Sequence, residues 1–474
     1  MGHRSCSAEA SEILLEQFEL ILDHHKLIDE VGFIHPSQFA ELNEDSGVSW
    51  SPPCSIWQKL DESHESDPTG LMCLQNEKTV FWYGNHKLAI SIQVVPVLYN
   101  AARLAHMEAR RSYERLINVP NRRSSLNATN FEAQFPETDI MKHSRSLLIL
   151  SPDFGSVWNS RKLVLSREPN LALLIDELNL SMLILSYSPK SEQAWSHRRW
   201  VIKKIAEKFH DLYDIIGKES EFVKRIAEKS KMNYRAWNHR CWLILYMNKG
   251  QMLDELDKSR KWSELHVADN SCYHYRRRLM LNLLEDNSLK DDEQKSSFYM
   301  CHSVDLLKEE LKWNVHLIKK YMGREALWIH RRHLSYYLIS RITNPIDIGS
   351  PCKVQLEMIS ALHCFLGEEM ELVHTCLNIP ADEFDDAPVQ AQHAATYLLW
   401  ISKKIVLSPE YRFQEKLMEV GDLKTILMNT SPEKSLTWER LLDQLPAESE
   451  KNLYEGFIWD GFLIVFLSNF LVKI

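Results

Sequence analysis

Histidine recurs beside arginine in this chain, and such histidines could bind a metal ion. Three histidines directly precede an arginine and a fourth lies in a related segment: His197, His239, His330 and His274. A metal site needs its ligands within a few ångströms of one another, whereas 35 or more residues separate each of these histidines from the next. We therefore predict that they form hydrogen bonds at helix surfaces or between repeats, and we predict no metal site on this chain.

The histidines belong to a motif, Trp-x-x-Arg, that recurs along the sequence. Four copies begin with tryptophan and one with tyrosine: Trp158 and Arg161, Trp195 and Arg198, Trp237 and Arg240, Tyr273 and Arg276, Trp328 and Arg331. The aromatic residues lie 37, 42, 36 and 55 residues apart. Periods of this length are typical of helical-hairpin arrays. The motif therefore predicts an all-α fold, built as a right-handed superhelical array of helical hairpins.

Each copy is predicted to contain two helices, with its aromatic residue and arginine in structural roles. Apolar residues from Leu171 to Leu185 fall on one helical face, and Ser191 follows a break where it can cap a second helix. Residues i and i+3 share a helix face, so each pair points into the space between neighbouring hairpins. There the ring fills a helix–helix contact, and the arginine can reach a carboxylate or helix-end carbonyl groups.

Composition excludes several classes of protein. The chain has 474 residues and a net charge of −9, which disfavours nucleic-acid binding through an overall positive field. Its nine cysteines form no Cys-x-x-Cys pair, so neither a disulfide framework nor a cysteine-based zinc site is predicted. Reduced thiols and a start without an apolar secretory segment indicate a cytoplasmic protein. The sequence also lacks a phosphate-binding glycine loop and a nucleophile elbow.

Three regions are predicted along the chain. Residues 1–139 form an N-terminal helical region with loops, and residues 140–340 contain the five motif copies. Residues 341–474 form C-terminal helices, with a decayed repeat near 393–407 and an apolar terminal helix. The uncharged run Gly461–Val472 has only 12 residues, too few to span a bilayer. We predict that this end packs or binds a partner; the alternative is a helix at a membrane interface.

The motif resembles the α-subunit repeat of protein prenyltransferases, which also has Asn-Tyr before its tryptophan and His-Arg after it. The resemblance covers roughly residues 140–340. It implies a crescent of helical hairpins wrapped around a β subunit, an α–α barrel that holds the isoprenoid and a catalytic zinc ion. It therefore implies no cofactor on this chain and a zinc ion on the partner.

The resemblance also implies a catalytic residue at the start of the second repeat. The family pattern there is Pro-Lys-Asn-Tyr-Gln, and its lysine reaches the isoprenoid diphosphate. Here Lys190 and Gln193 match the pattern, whereas Ser191 and Glu192 replace the asparagine and the tyrosine. Lys190 is therefore the catalytic candidate and Gln193 a candidate for substrate binding, although the Glu192 carboxylate is an unfavourable neighbour for a diphosphate.

The third repeat supplies the other substrate-binding candidates. Asn233, Tyr234 and Arg235 stand where the family has Asn-Tyr followed by His in the farnesyl and Rab-type enzymes. Arg235 retains a hydrogen-bond donor and adds a fixed positive charge. Asn and Tyr at a helix start can instead act as a cap and a wedge, so a structural role stays open for both.

Two hypotheses for function follow. In the first, the chain is the α subunit of a heterodimeric protein prenyltransferase and is inactive without its β subunit. Its expected partners are a Rab-type geranylgeranyltransferase β subunit, geranylgeranyl diphosphate at the shared interface, and protein substrates with C-terminal cysteines. In the second, it is a non-enzymatic helical-repeat scaffold or adaptor, which the departures at Glu192 and Tyr273 favour.

Overall fold

The computed structural model of the chain describes residues 2–42, 47–52, 79–117, 130–167, 170–209, 212–284, 293–343, 352–380, 385–406 and 422–443. These residues are mostly helical, and they divide into two compact units, Met1–Asn248 and Lys249–Ile474. The predicted all-α class and its helical hairpins are confirmed. In the part of the chain that the structure describes, no helix combines the length and apolar character needed to cross a bilayer.

The first unit opens with helices and a small sheet. The helices are α1 (Gly2–His24), α2 (Phe39–Leu42) and α3 (Val95–Ile117), and the strands are β1 (Glu30–Ile34), β2 (Val48–Trp50), β3 (Phe81–Gly84) and β4 (Lys87–Ser91). The strand order is β1-β4-β3-β2, with β1 parallel to β4 and the other pairs antiparallel. Phe18 of α1 stacks on Phe81 of β3 at 5.5 Å, and this core continues to Trp158 and Trp195.

The strands within residues 1–139 differ from the prediction, which has only helices and loops in this region. The strands contain only three to five residues, too few for alternation of apolar and polar residues to stand out. In addition, β1 pairs with a strand that is distant in sequence, Glu30 lying opposite Lys87, so no local hairpin signal marks it.

Three helical hairpins complete the first unit. They are α4 (Asn130–Leu150) with α5 (Gly155–Leu165), α6 (Leu171–Tyr187) with α7 (Glu192–Lys208), and α8 (Tyr213–Lys229) with α9 (Tyr234–Leu243). Ser191 caps α7, as predicted: its Oγ accepts a hydrogen bond from Ala194 N at 3.2 Å. Asn233 caps α9 in the same way, accepting from Ala236 N at 3.1 Å.

The second unit continues the same architecture. Its helices are α10 (Lys249–Leu265), α11 (Asn270–Leu284), α12 (Glu293–Lys320), α13 (Glu325–Thr343), α14 (Cys352–Leu377), α15 (Ala387–Val406), α16 (Leu423–Thr430) and α17 (Ser435–Leu442). The segment near 393–407, predicted as a decayed repeat, lies largely on α15, which pairs with α14. The predicted apolar terminal helix lies outside the described residues.

Candidate functional site

The aromatic residues of the motif are buried between helices, as predicted. Their relative exposure is 2% or less in every copy: Trp158, Trp195, Trp237, Tyr273 and Trp328. Trp195 also holds the turn before its own helix, because its Nε1 donates to Pro189 O at 3.0 Å. Trp158 makes the equivalent hydrogen bond to Pro152 O at 2.8 Å. The indole thus packs between helices and fixes a turn, which explains why tryptophan dominates at this position.

Each of four motif arginines joins its own repeat to the next one through a glutamate. Arg198 Nε and Nη2 donate to the two carboxylate oxygens of Glu219 at 2.5 and 2.6 Å. Its Nη1 donates to Leu178 O at 2.6 Å and to Ser181 Oγ at 2.9 Å. The same two-pronged pairing joins Arg161 to Glu177, Arg276 to Glu310 and Arg331 to Glu369. The predicted carboxylate partner is therefore present, whereas the backbone carbonyl that Arg198 reaches lies within α6 and not at a helix end.

The glutamates were not predicted, although the sequence contains a signal for them. Glu177, Glu219 and Glu310 each lie 21 residues before the motif arginine of their own repeat, and 20 before the histidine. The first repeat has Ile140 and Ser160 at these two positions, so the glutamate and the histidine are absent together. This joint absence indicates that the two residues form one unit.

The histidines complete that unit by binding the same glutamates. His197 Nε2 lies 2.9 Å from Glu177, His239 Nε2 lies 2.7 Å from Glu219, and His330 Nε2 lies 3.0 Å from Glu310. Tyrosine takes this place in two other hairpins: Tyr275 and Tyr397 donate through their hydroxyl groups to Glu255 and Glu369, both at 2.7 Å. A neutral hydrogen-bond donor is therefore what the position requires.

The pKa shifts of the buried groups agree with this assignment. Burial lowers the pKa of His330 to about 4, which keeps the imidazole neutral with a proton on Nε2. Burial alone would raise the pKa of Glu219, but the Arg198 charge and the hydrogen bonds from His239 and Arg198 outweigh it and lower the pKa to about 2. Among the described residues, no group of three or more His, Cys, Asp or Glu side chains is arranged to hold a metal ion.

We expect His239→Tyr to preserve stability better than His239→Phe, since tyrosine serves this position in two other hairpins. Phenylalanine cannot donate a hydrogen bond to Glu219. We expect it to lower the free energy of unfolding by about 1 to 3 kcal/mol more than tyrosine does, the usual cost of an unsatisfied buried partner. Denaturant unfolding of the full chain compares the two variants, which differ only by a hydroxyl group. Equal midpoints would show that the hydrogen bond contributes nothing.

Lys190 lies in the turn between α6 and α7, with its side chain exposed to solvent. Among the described residues, the Lys190 ammonium group forms no ion pair and no hydrogen bond. The backbone beneath it is fixed: Lys190 O accepts from Arg235 Nη1 at 2.7 Å, and the neighbouring Pro189 O accepts from Asn233 Nδ2 at 2.8 Å. A free ammonium group on a held turn is suited to binding an anion.

The remaining site candidates differ in their accessibility. Gln193 is exposed and its side chain lies beside Gly155, at the start of α5. Tyr234 is 68% exposed and lies in sequence between Asn233 and Arg235, which both donate hydrogen bonds to the Lys190 turn. Asn233 is only 1% exposed, with its amide group used in the helix cap and in the bond to Pro189 O. The structure thus gives Asn233 the capping role that the sequence left open as an alternative.

Glu192 faces cations rather than an open anion site. Its Oε2 accepts from Arg235 Nε at 2.7 Å, and its Oε1 accepts from Arg199 Nη2 at 3.2 Å. These side chains are partly exposed and lie beside Lys190. Together Lys190, Arg199 and Arg235 carry three positive charges against two negative charges, that of Glu192 and that of Asp153, whose Oδ1 accepts from Ser191 Oγ at 2.7 Å. The edge therefore stays cationic despite the unexpected carboxylate.

Tyr273, the other departure from the pattern, packs as an aromatic residue in the fourth repeat, but among the described residues its buried hydroxyl group has no hydrogen-bond partner. It is fully buried, and its ring centroid lies 5.1 Å from that of His330 and 6.4 Å from that of Trp313. Trp158 and Trp195 contact the histidine of the next repeat in the same way, at 4.5 and 4.9 Å. Tyrosine therefore serves as the aromatic anchor here.

Comparison with known proteins agrees with these features. The protein prenyltransferase alpha subunit repeat matches residues 174–205, 216–247 and 252–283. The chain is 33% identical over 254 residues to protein prenyltransferase alpha subunit repeat-containing protein 1 of Homo sapiens, covering 45% of this chain and 61% of that protein. It is 31% identical over 231 residues to the corresponding protein 1-B of Xenopus laevis, covering 40% and 53%.

A more distant similarity extends to subunits of named enzymes. The geranylgeranyl transferase type-2 subunit alpha of Rattus norvegicus is 26% identical over 154 residues, covering 31% of this chain and 26% of that subunit. The chain spans between about half and three fifths of the length of the repeat-containing proteins above. Three segments of the chain thus match the protein prenyltransferase alpha subunit repeat.

Proposed function

We propose that the chain is the α subunit, without a zinc site of its own, of a heterodimeric protein prenyltransferase that transfers a geranylgeranyl group to protein cysteines. The observation that carries this proposal is Lys190: an exposed ammonium group, unpaired among the residues that the structure describes, on a turn that the neighbouring repeat holds by two backbone carbonyls. It stands at the repeat position where the resemblance implies a diphosphate contact.

The chemistry of prenyl transfer gives this lysine a role. The reaction breaks a carbon–oxygen bond whose leaving group is diphosphate, so negative charge grows on the departing oxygen. A cation aimed at that oxygen stabilises the transition state more than the bound substrate, which raises the rate. Lys190 supplies this cation, and the net positive charge of the surrounding edge attracts the diphosphate.

The proposal requires a β subunit, and we infer a Rab-type one from the similarity to type-2 alpha subunits. That subunit would hold the isoprenoid in its barrel, together with a zinc ion whose chemistry is to activate the attacking thiol. Substrates would be cytoplasmic proteins with C-terminal cysteines. The present chain would wrap the partner, place Lys190 at the diphosphate, and take no part in activating the thiol.

The alternative is a helical scaffold that retains the repeats without the enzymatic partnership. Glu192 and Tyr273 favoured this function in the sequence. Glu192 is paired with two arginines, and Tyr273 packs as an aromatic anchor, so neither change disrupts the edge or the repeat. These contacts weaken the two sequence arguments for a scaffold, which stays as one outcome of the test.

Co-expression with candidate β subunits tests the proposal. The chain carries one affinity tag and is expressed with each of three β subunits: the farnesyl, the type-1 geranylgeranyl and the Rab type. We expect stable co-purification of the Rab-type subunit, and prenylation of a cysteine-terminated acceptor by that complex. Each β subunit expressed with its own α subunit is the positive control. If none of the three accompanies the chain, the enzymatic function is lost and the scaffold remains.

A further inference from the structure

The turn that carries Lys190 is held by the next repeat as well as by Asp153 of the preceding one, whose Oδ1 accepts from Ser191 Oγ at 2.7 Å. Two of its carbonyl groups accept hydrogen bonds from the start of α9: Pro189 O from Asn233 Nδ2 at 2.8 Å, and Lys190 O from Arg235 Nη1 at 2.7 Å. Pro189 O also accepts from Trp195 Nε1 at 3.0 Å. The direction in which the Lys190 side chain leaves the backbone thus depends on residues more than 40 positions later in the sequence.

Arg235 is itself held in place by Glu192. Its Nε donates to Glu192 Oε2 at 2.7 Å while its Nη1 reaches Lys190 O, so two donors of one rigid guanidinium bind two points of the same turn. Arg199, on α7 with Glu192, donates to the other carboxylate oxygen at 3.2 Å. The carboxylate therefore fixes the plane of the Arg235 guanidinium from one side and is fixed by Arg199 from the other.

We propose that Glu192 and Arg235 form a clamp that positions Lys190, and that Arg235 acts through Lys190 and does not bind the diphosphate itself. This inference rests on the proposed function for its catalytic consequence. Exposed ion pairs contribute little to folding stability, so the value of this pair lies in what it orients. The clamp also explains why positions 192 and 235 depart together from Tyr and His: each new charge is balanced by the other.

Hydrogen exchange in the full chain tests the clamp without any partner. We expect Arg235→Ala and Glu192→Gln to speed exchange of the backbone amides in segment 188–194 by roughly three- to tenfold, since each removes a bond that holds the turn. Arg235→Lys should restore only part of the protection, because an ammonium group cannot reproduce the planar fork. Glu207→Gln is the matched control, as it breaks another exposed ion pair of α7, with Lys204 at 2.8 Å. Unchanged exchange in segment 188–194 for Arg235→Ala would overturn the clamp.

A double-mutant cycle in the complex with the co-purifying β subunit tests the catalytic consequence. Variants Lys190→Ala, Arg235→Ala and the double variant are compared by kcat and KM. We expect Arg235→Ala to lower kcat. The kcat of the double variant should be within twofold of that of Lys190→Ala, because the effects of substituting residues that act as one unit do not add. If the reductions in kcat of the two single variants multiply in the double variant, Arg235 contacts the substrate itself and the proposal is wrong. If Lys190→Ala retains full activity, the catalytic role of Lys190 fails, whereas the exchange result still decides whether the clamp exists.

Discussion

Replacing Glu219 by alanine is expected to lower the free energy of unfolding by about 3 to 5 kcal/mol, the usual effect of breaking a buried ion pair from one side. The substitution leaves the Arg198 guanidinium buried with Nε and Nη2 unpaired, and it removes the partner of His239. The two groups left without a partner, Arg198 and His239, are 4% exposed or less, so bulk solvent does not reach them. Denaturant unfolding of the full chain, followed by tryptophan fluorescence, measures the shift.

Two further variants make this result specific to the buried pair. Glu207→Gln removes an exposed carboxylate of α7 and should change stability by no more than about 0.5 kcal/mol. The double variant Arg198→Met with Glu219→Leu removes both charges and should recover much of the loss, because apolar residues of similar size often replace a buried ion pair. A Glu219→Ala shift no larger than that of Glu207→Gln would contradict the role assigned to the glutamate.

Replacing Lys190 by alanine is expected to slow prenyl transfer by the complex with the β subunit by about 10²- to 10³-fold, the range found when one donor to a developing oxyanion is removed. The loss should fall on kcat more than on KM, since the charge that Lys190 stabilises grows in the transition state. Steady-state kinetics with geranylgeranyl diphosphate and a cysteine-terminated acceptor measure it.

The controls separate catalysis from assembly. Lys203, an exposed lysine further along α7, provides the matched variant Lys203→Ala, which should retain the rate of the parent chain. Size-exclusion chromatography of each complex establishes that the subunits stay together. Unchanged turnover by an intact Lys190→Ala complex would show that Lys190 has no catalytic role, and it would favour the scaffold hypothesis.

The hairpin array was predictable because its largest side chains recur at regular intervals. Trp195 and Arg198 carry a signal that is visible without any pairing information, since a tryptophan is rare and its period is fixed by the length of a hairpin. The capping role of Ser191 was predictable for the same reason: it depends only on neighbouring residues. Local rules and a repeat period thus account for the fold of the repeats.

The remaining features depend on contacts between distant segments. Glu219 looks like any helical glutamate until it is aligned with the other repeats, and its partner Arg198 lies 21 residues earlier in the sequence. The parallel pairing of Glu30 with Lys87 is equally invisible to a local pattern. Around Lys190, the sequence indicated which residues depart from the family pattern. Only the folded structure reveals that Arg235 and Glu192 bind each other and that Arg235 binds the Lys190 turn.

The first repeat lacks the glutamate of the Arg–Glu pair, and the last hairpin lacks the arginine. These two absences limit how many hairpins can be joined by such pairs. Arg161 pairs with Glu177 of the following repeat. In its own repeat, Ile140 stands at the glutamate position, so this repeat cannot pair with an arginine of an earlier one. At the other end, Glu369 pairs with Arg331. In α15, Leu398 stands at the arginine position, so this helix cannot pair with a later glutamate. The Arg–Glu pairs between hairpins therefore have a first and a last member encoded in the chain. A further hairpin added beyond either one would have no charged residue with which to form such a pair.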